Sequence, residues 1–587
     1  MKPLCLCCAV LGLLWTLSSA ASHGAEPVRP VAMGWIENGS RLLVANRAGT
    51  VMRVDPATRQ VREELAVGRR LTDLAVLPAG DRALVTDEGA HELILLRCGA
   101  GKLRVDARLS LGPYPVAVQV TRDGRRAYVA TLWSRRILAV DVPPAEDASP
   151  TLKPAFEVRL PFALRKLLLL PGEEKLLAAD SFGGGLAVVD LSKRAVSFAG
   201  EISGHNIRGL ALSPDGRQVL VAHQRLDETL ATGLGELRSG RLTGGVVRSI
   251  ALAELASGSP DALTRSTTLE LGFIGQGAAD PGEIAFDATG RMFVALSGTQ
   301  QVAVVPRDLP SAGEPARLAV GRKPTALVAS RDGRRIYVAN TFDDSLSILD
   351  TGSSKVEAEI RLAPPIAATQ LHPRDRGEML FFDARISEER WMSCHTCHTD
   401  GHSNGRLADN FGDETFGTPK RTLSLLGTVN TGPWGWRGKN QDLYDTIERS
   451  VQTTMHGHAM DRRDSSDMAT FLLSLAPAPP LEPAITADDR AQAARGRERF
   501  ESLGCVKCHI PPLTFSAFEA VDVGMTDEVR ERKFNPPSLR GVGHGAAFFH
   551  DNRAKRLEEV FTRHAHQLDS ELAPRDLADL LRYLRSL

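Results

Sequence analysis

The sequence predicts a multidomain protein in which an all-β seven-bladed propeller precedes two smaller, mainly α-helical domains. Three observations predict it. A strand–turn–strand unit recurs seven times before residue 365, two cysteine–histidine pentads of one pattern lie beyond residue 390, and a proline-rich stretch separates them. The 587 residues are 43% hydrophobic and 24% charged, the balance of a folded protein. Lys plus Arg equals Asp plus Glu at 71 each, so no bulk charge favours nucleic acid, and no such partner is expected.

The chain opens MKPLCLCCAVLGLLWTLSSA. Lys2 gives a positive start, Leu4 to Leu17 an apolar run, and Ser18-Ser19-Ala20 small residues for cleavage, so residues 1–21 read as a secretory signal peptide and the protein as periplasmic. A membrane anchor or a lipoprotein cysteine are the rival readings. No later stretch approaches the ~20 apolar residues of a spanning helix, so no membrane span is expected. Five cysteines remain. Cys98 stands alone in LILLRCG and reads as a small buried apolar residue.

Residues 28–365 carry the repeat. Its turns are Asn38-Gly39, Ala79-Gly80, Asp123-Gly124, Pro171-Gly172, Asp215-Gly216, Thr289-Gly290 and Asp332-Gly333. The glycines lie 41, 44, 48, 44, 74 and 43 residues apart, and each can supply the positive φ of a hairpin turn. Strands such as AYVAT and IYVAN follow the turns. A period of 40 to 45 residues built from short alternating strands is that of a propeller blade. The long interval contains Gln224 to Gly245, read as an inserted loop rather than an eighth blade. Such a loop often contacts a neighbouring domain. PVAVQVTRDGRRAYVAT and PTALVASRDGRRIYVAN resemble the YVTN family of bacterial β-propellers.

The pentads are Cys394-His395-Thr396-Cys397-His398 and Cys505-Val506-Lys507-Cys508-His509. C-x-x-C-H attaches haem c: the thiols bond the porphyrin vinyl groups and the adjacent His reaches the iron as proximal ligand. Rival readings are a four-cysteine zinc site and disulfides. Each pentad sits in a similar unit. DMATFLLSLAP closes the first and DLADLLRYLRSL the second, with Leu475 and Leu587 lying 77 and 78 residues after His398 and His509. Two tandem cytochrome c domains follow, at 370–480 and 484–587, joined by the stiff APAPPLEP of Ala476–Pro483. Thr486 and Asp489 are placed to cap the first helix of the second.

LFFDARIS-x4-MSCHTCH, LSLLGT, GPWGWRG and FNPPSLRGVG…FFHDN…LEEVF together resemble the di-haem bacterial cytochrome c peroxidase and MauG superfamily, over about residues 370 to 587. The resemblance implies two covalently bound haem c groups, the first reacting with peroxide and the second transferring electrons. It implies that Trp436 lies between them as relay; a core aromatic is the bland alternative. At the family's distal Glu this chain has His456, and imidazole can perform the same proton transfer near neutral pH. Met455 is a candidate distal ligand of the first haem, since Thr454 to Met460 offers four possible ligands. His550 matches the histidine near the second haem, and His564, with His566 close by, falls at that haem's distal-ligand position. Calcium is not expected: the usual ligand Asn falls on Arg421, and the carbonyl donors would come from Gly545 and Ala547.

The expected function is a periplasmic di-haem oxidoreductase, peroxidase-like or MauG-like. It would reduce hydrogen peroxide with electrons from a small cytochrome or cupredoxin-type donor, or oxidise a protein or small-molecule substrate, with the propeller available to dock a protein substrate. The alternative is a non-catalytic electron-transfer protein whose propeller docks a dehydrogenase.

Overall fold

The computed structural model describes residues 26–307 and 314–587; the predicted signal peptide lies outside them. From Pro30 to Arg361 the chain forms seven four-stranded antiparallel sheets, each ordered as in the sequence from the inside out. The seven predicted turn glycines each join the first strand of a blade to its second, and each has a positive φ between 63° and 88°. Inner strands touch in succession, and the strand Pro30–Ile36 of blade 1 meets Pro324–Ala329 of blade 7. Trp35 Nε1 donates to Ala329 O at 2.6 Å and Arg29 N to Asp344 Oδ1 at 2.7 Å, closing the ring.

Burial explains the strand pattern. Second strands are almost wholly buried, whereas outer strands such as Gln60–Ala66 alternate between exposed and half-buried residues. One apolar cluster fills each of the seven junctions between blades, so each blade hides both faces against its neighbours. Cys98 is fully buried in the cluster between blades 1 and 2.

The insertion differs from the expected loop. Its two ends lengthen the second and third strands of blade 5, Gln218–Leu226 and Thr243–Ala251, into nine-residue ribbons. Only the tip leaves the sheet, with a short helix at Leu234–Arg238. That tip reaches the region after the propeller, because Thr232 N donates to Asp409 O at 2.7 Å.

The region after the propeller is mostly helical and built twice from one helix crossing. Helix Pro373–Phe381 packs on Arg462–Leu473, and helix Ala487–Ser502 on Pro574–Arg585. In the first pair Arg376 grips Asp467 at 2.5 and 2.8 Å; in the second Arg495 grips Asp579 at 2.8 and 3.0 Å. Gly377 and Gly496 let the helices touch, since an added Cβ would fall 1.9 Å from Asp467 O and 2.0 Å from Asp579 O. Phe381 and Phe500 follow four residues later, packed on Phe471 and Tyr583. Gly496→Ala is therefore expected to cost about 1–3 kcal/mol by forcing this crossing apart, measured as a lower denaturation midpoint. Thr486 and Asp489 form the predicted capping box, with both bonds at 3.1 Å.

Candidate haem sites and the propeller joint

Local structure prepares both pentads. Ser393 caps the single turn Cys394–Cys397: Thr396 N donates to Ser393 Oγ at 3.3 Å, and Ser393 N to Thr396 Oγ1 at 2.9 Å. Residues i and i+3 of such a turn share a face, which aligns the two thiols. His398 Nδ1 donates to Leu423 O at 2.9 Å, and in the second unit His509 Nδ1 donates to Phe515 O at 3.0 Å. A ring so held presents Nε2 as its unprotonated, ligating nitrogen. No disulfide joins these four cysteines among the described residues. Among the described residues no group of three or more His, Cys, Asp or Glu side chains is placed to hold a metal ion, so the two pairs do not join into a zinc tetrad.

The second unit also contains buried ring nitrogens without a partner: His550 Nε2, His564 Nε2 and His566 Nδ1. Paired thiols, a proximal ring with its tautomer set, and orphaned imidazole nitrogens fit a covalently held haem. His564 and His566 share a neighbour, each with its ring 5.4 Å from that of Phe549. Burial, then repulsion from His509, lowers His566 to about 4. The structure thus brings His566 as well as His564 to this site.

Trp436 stands between the two helical units. Its Nε1 donates to Arg421 O at 2.7 Å on one side, while Asn535 N donates to Trp436 O at 2.7 Å on the other. Its ring lies 6.3 Å from that of His550, which stacks on Phe534 at 4.3 Å.

Met455 is buried among Leu237 and Leu242 of the insertion, Trp391, Met392 and Val451, and Cys394 packs against the same cluster. His456 is turned toward the propeller, with Nε2 donating to Thr232 O of the insertion at 2.6 Å. Its other nitrogen, Nδ1, therefore carries the lone pair. The Trp391 ring lies against Gly240 and Gly272 of the propeller, where an added Cβ would come within 2.5 and 2.6 Å of it.

Sequence reasoning missed the joint itself. The middle residues of the first pentad, His395 and Thr396, are inserted into the propeller face that carries its blade-to-blade connections. Buried Asp280 accepts from Ser393 Oγ at 2.5 Å, Thr396 Oγ1 at 3.1 Å and Asn206 Nδ2 at 3.1 Å, and faces His395 Nδ1 at 3.3 Å. His205 Nε2 donates to Thr396 O at 2.9 Å. On its other edge His395 Nε2 meets Asp400 Oδ1 at 3.2 Å, and Asp400 is paired with Arg165 and Arg208 of the propeller. These cations, together with the hydrogen bond from His395, outweigh burial and hold the Asp400 carboxyl well below the usual range. Arg29, Tyr114, Asn206, Asp280 and Lys323, at or beside the starts of inner strands on this face, adopt positive φ.

Residues 375–476 match the family described as di-haem cytochrome c peroxidase. That segment of the C-terminal region thus matches a di-haem cytochrome c peroxidase domain. The chain is similar to the cytochrome c551 peroxidase of Pseudomonas aeruginosa, 22% identical over an alignment covering 42% of this chain and 87% of that protein. The cytochrome c551 peroxidase of Nitrosomonas europaea is 24% identical, over 43% of this chain and 92% of that protein. Among solved structures, the hydrazine synthase of Kuenenia stuttgartiensis has a TM-score of 0.49 at 20% identity, covering 57% of this chain and 98% of that one. The β-propeller domain of Cps50 (Swd1) of Myceliophteria thermophila has a TM-score of 0.41 at 14% identity, covering 56% and 99%. The di-haem family implies haem as cofactor, and among the described residues no helix is long and apolar enough to cross a membrane.

Proposed function

We propose that this protein is a periplasmic di-haem c oxidoreductase that reduces hydrogen peroxide with electrons from a small cytochrome or cupredoxin-type donor. MauG-like oxidation of a protein or small-molecule substrate is the variant within the same class. The observation carrying this reading is the pair of proximal rings, His398 and His509, each with Nδ1 tied to a main-chain carbonyl and Nε2 left to ligate. Cys394 with Cys397 and Cys505 with Cys508 would hold the two haems, which supply electron storage and peroxide activation when bound. Trp436 would act as the relay, a role supported by its hydrogen bond to one unit and its contact with the other. His456 is the candidate distal base. With its Nε2–H given to Thr232 O, the basic nitrogen is Nδ1, and the propeller insertion fixes that tautomer. Met455 is the candidate distal ligand for a closed first site, and His564 or His566 for the second; His550 packs beside Trp436.

Ferric-state spectroscopy and peroxide turnover test the reading. A high-spin haem that reacts with peroxide is expected, and two low-spin haems inert to peroxide before and after partial reduction would replace it with the electron-transfer alternative. His456→Ala is expected to slow peroxide turnover about 100-fold, the low end for a lost general base. An unchanged rate and first-haem spectrum in His456→Ala and Met455→Ala alike would remove both from the distal pocket.

A further inference from the structure

The family's interdomain calcium does not fit this chain, and the residue that excludes it has a consequence of its own. Arg421 lies on the first cytochrome unit where it meets the second. Its backbone N–H donates to His550 O at 2.6 Å, its Nε to Phe549 O at 3.2 Å, and its own carbonyl accepts from Trp436 Nε1 at 2.7 Å. The guanidinium carbon is 5.4 Å from the centre of the Trp436 ring, within cation–π range. One side chain thus touches the relay tryptophan and the second unit's segment leading to His550. A calcium ion needs oxygen ligands at about 2.3–2.6 Å, and a guanidinium offers only donors and a like charge.

Arg421 is also a half-buried cation at this junction. Burial is the one cause acting on it, lowering it to about 10, so it stays protonated at neutral pH. Among the described residues no carboxylate forms an ion pair with it. It borders a cavity of about 340 Å³ between the propeller and both cytochrome units, whose wall also includes Arg135, His402, His544 and Arg585. The same wall carries Asp180 and Glu558, the latter paired with Arg585, and neither pairs with Arg421, so the Arg421 charge is left for an anion from outside the polypeptide.

We propose that the Arg421 guanidinium is the resident cation of the junction between the cytochrome units, doing covalently what a bound divalent ion would do, so that the junction is independent of calcium. Its anionic partners are the carboxylates of the haem side chains, a clause that rests on the di-haem reading. Removing Arg421 opens space beside the Phe549 and His550 carbonyls, and a short amide there restores the kind of oxygen donor that calcium takes.

The test uses the purified full-length holoprotein, with melting temperature and the reduction potentials of both haems measured in EGTA and in added calcium chloride. Wild type is expected to give the same values in both. Arg421→Gln is expected to melt on the order of 5 °C lower and to shift at least one haem to lower potential, because a nearby positive charge favours the reduced state. Arg421→Lys should recover the potential more fully than the melting temperature, since it keeps the charge without the fork. Arg421→Asn should regain melting temperature on adding calcium. Wild type that loses stability in EGTA and recovers it with calcium would overturn the proposal, as would an Arg421→Gln protein equal to wild type in both measurements. The Soret band decides the di-haem reading separately, whereas the calcium response of the melting temperature decides the role of Arg421 whether or not that band is present.

Discussion

Replacing Asp280 with alanine is expected to destabilise the propeller–cytochrome joint by about 3–5 kcal/mol, the usual cost of removing one partner from a buried charged network. The carboxylate is 2% exposed and accepts from Ser393, Thr396 and Asn206 while facing His395. Alanine leaves those donors in a site that water does not reach, and leaves Asp400 alone against Arg165, Arg208 and His395. Asp280→Asn keeps the shape and one acceptor oxygen, so its cost should be about half. The readouts are the denaturation midpoint and the rate of proteolysis in the connecting segment 362–372. The joint ends at the turn that carries Cys394 and Cys397, so Asp280→Ala should also loosen the first haem unit while leaving the second intact. A midpoint within experimental error of wild type would show that the pentad does not depend on the propeller for its support.

Much of this molecule could be read from its sequence because the signals are local. A turn glycine needs only its own backbone, so Gly39, Gly80, Gly124, Gly172, Gly216, Gly290 and Gly333 announced seven blades, and each adopts positive φ. The Thr486–Asp489 capping box is equally local. The joint was not legible, since nothing near Asp280 in the chain anticipates residues 393 to 396. His395 and Thr396 occupy the variable positions of C-x-x-C-H, which carry no attachment chemistry and so draw no attention. One signal was available: RGEMLF with DMATF and RGRERF with DLLRY repeat the glycine, the Arg–Asp clamp and the aromatic that build both helix crossings. The insertion's ends were misread as loop because lengthened strands at Gln224–Leu226 and Thr243–Gly245 have no turn of their own. The orientation of His456 depends on Thr232, more than 200 residues away.

A second large effect is expected on acidification, at the ion pair joining blade 1 to the first cytochrome helix. Arg47 forms a two-pronged bond with Glu378, with Nη2 to Oε2 at 2.7 Å, and both side chains are largely buried. Burial alone would raise the carboxyl, but the charge and hydrogen bonds of Arg47, then Lys323 and Arg29, hold Glu378 at about 2. Because the folded value lies below the unfolded one of 4.5, the contribution is fully present above about pH 4.5 and is lost as pH falls toward 2. Its size follows from the shift and is about 3 kcal/mol. Buried neutral histidines such as His205 and His223, both held at about 3 by burial first, also weaken the fold as pH falls below 6.5. They act equally in wild type and in Glu378→Gln, so the difference between the two proteins isolates the carboxylate. That difference should be about 3 kcal/mol at neutral pH and shrink steadily between pH 4.5 and 2. Were the gap to keep one size down to the lowest pH, Glu378 would be contributing through shape rather than charge, and the joint would depend on Asp280 and Asp400 for its electrostatics.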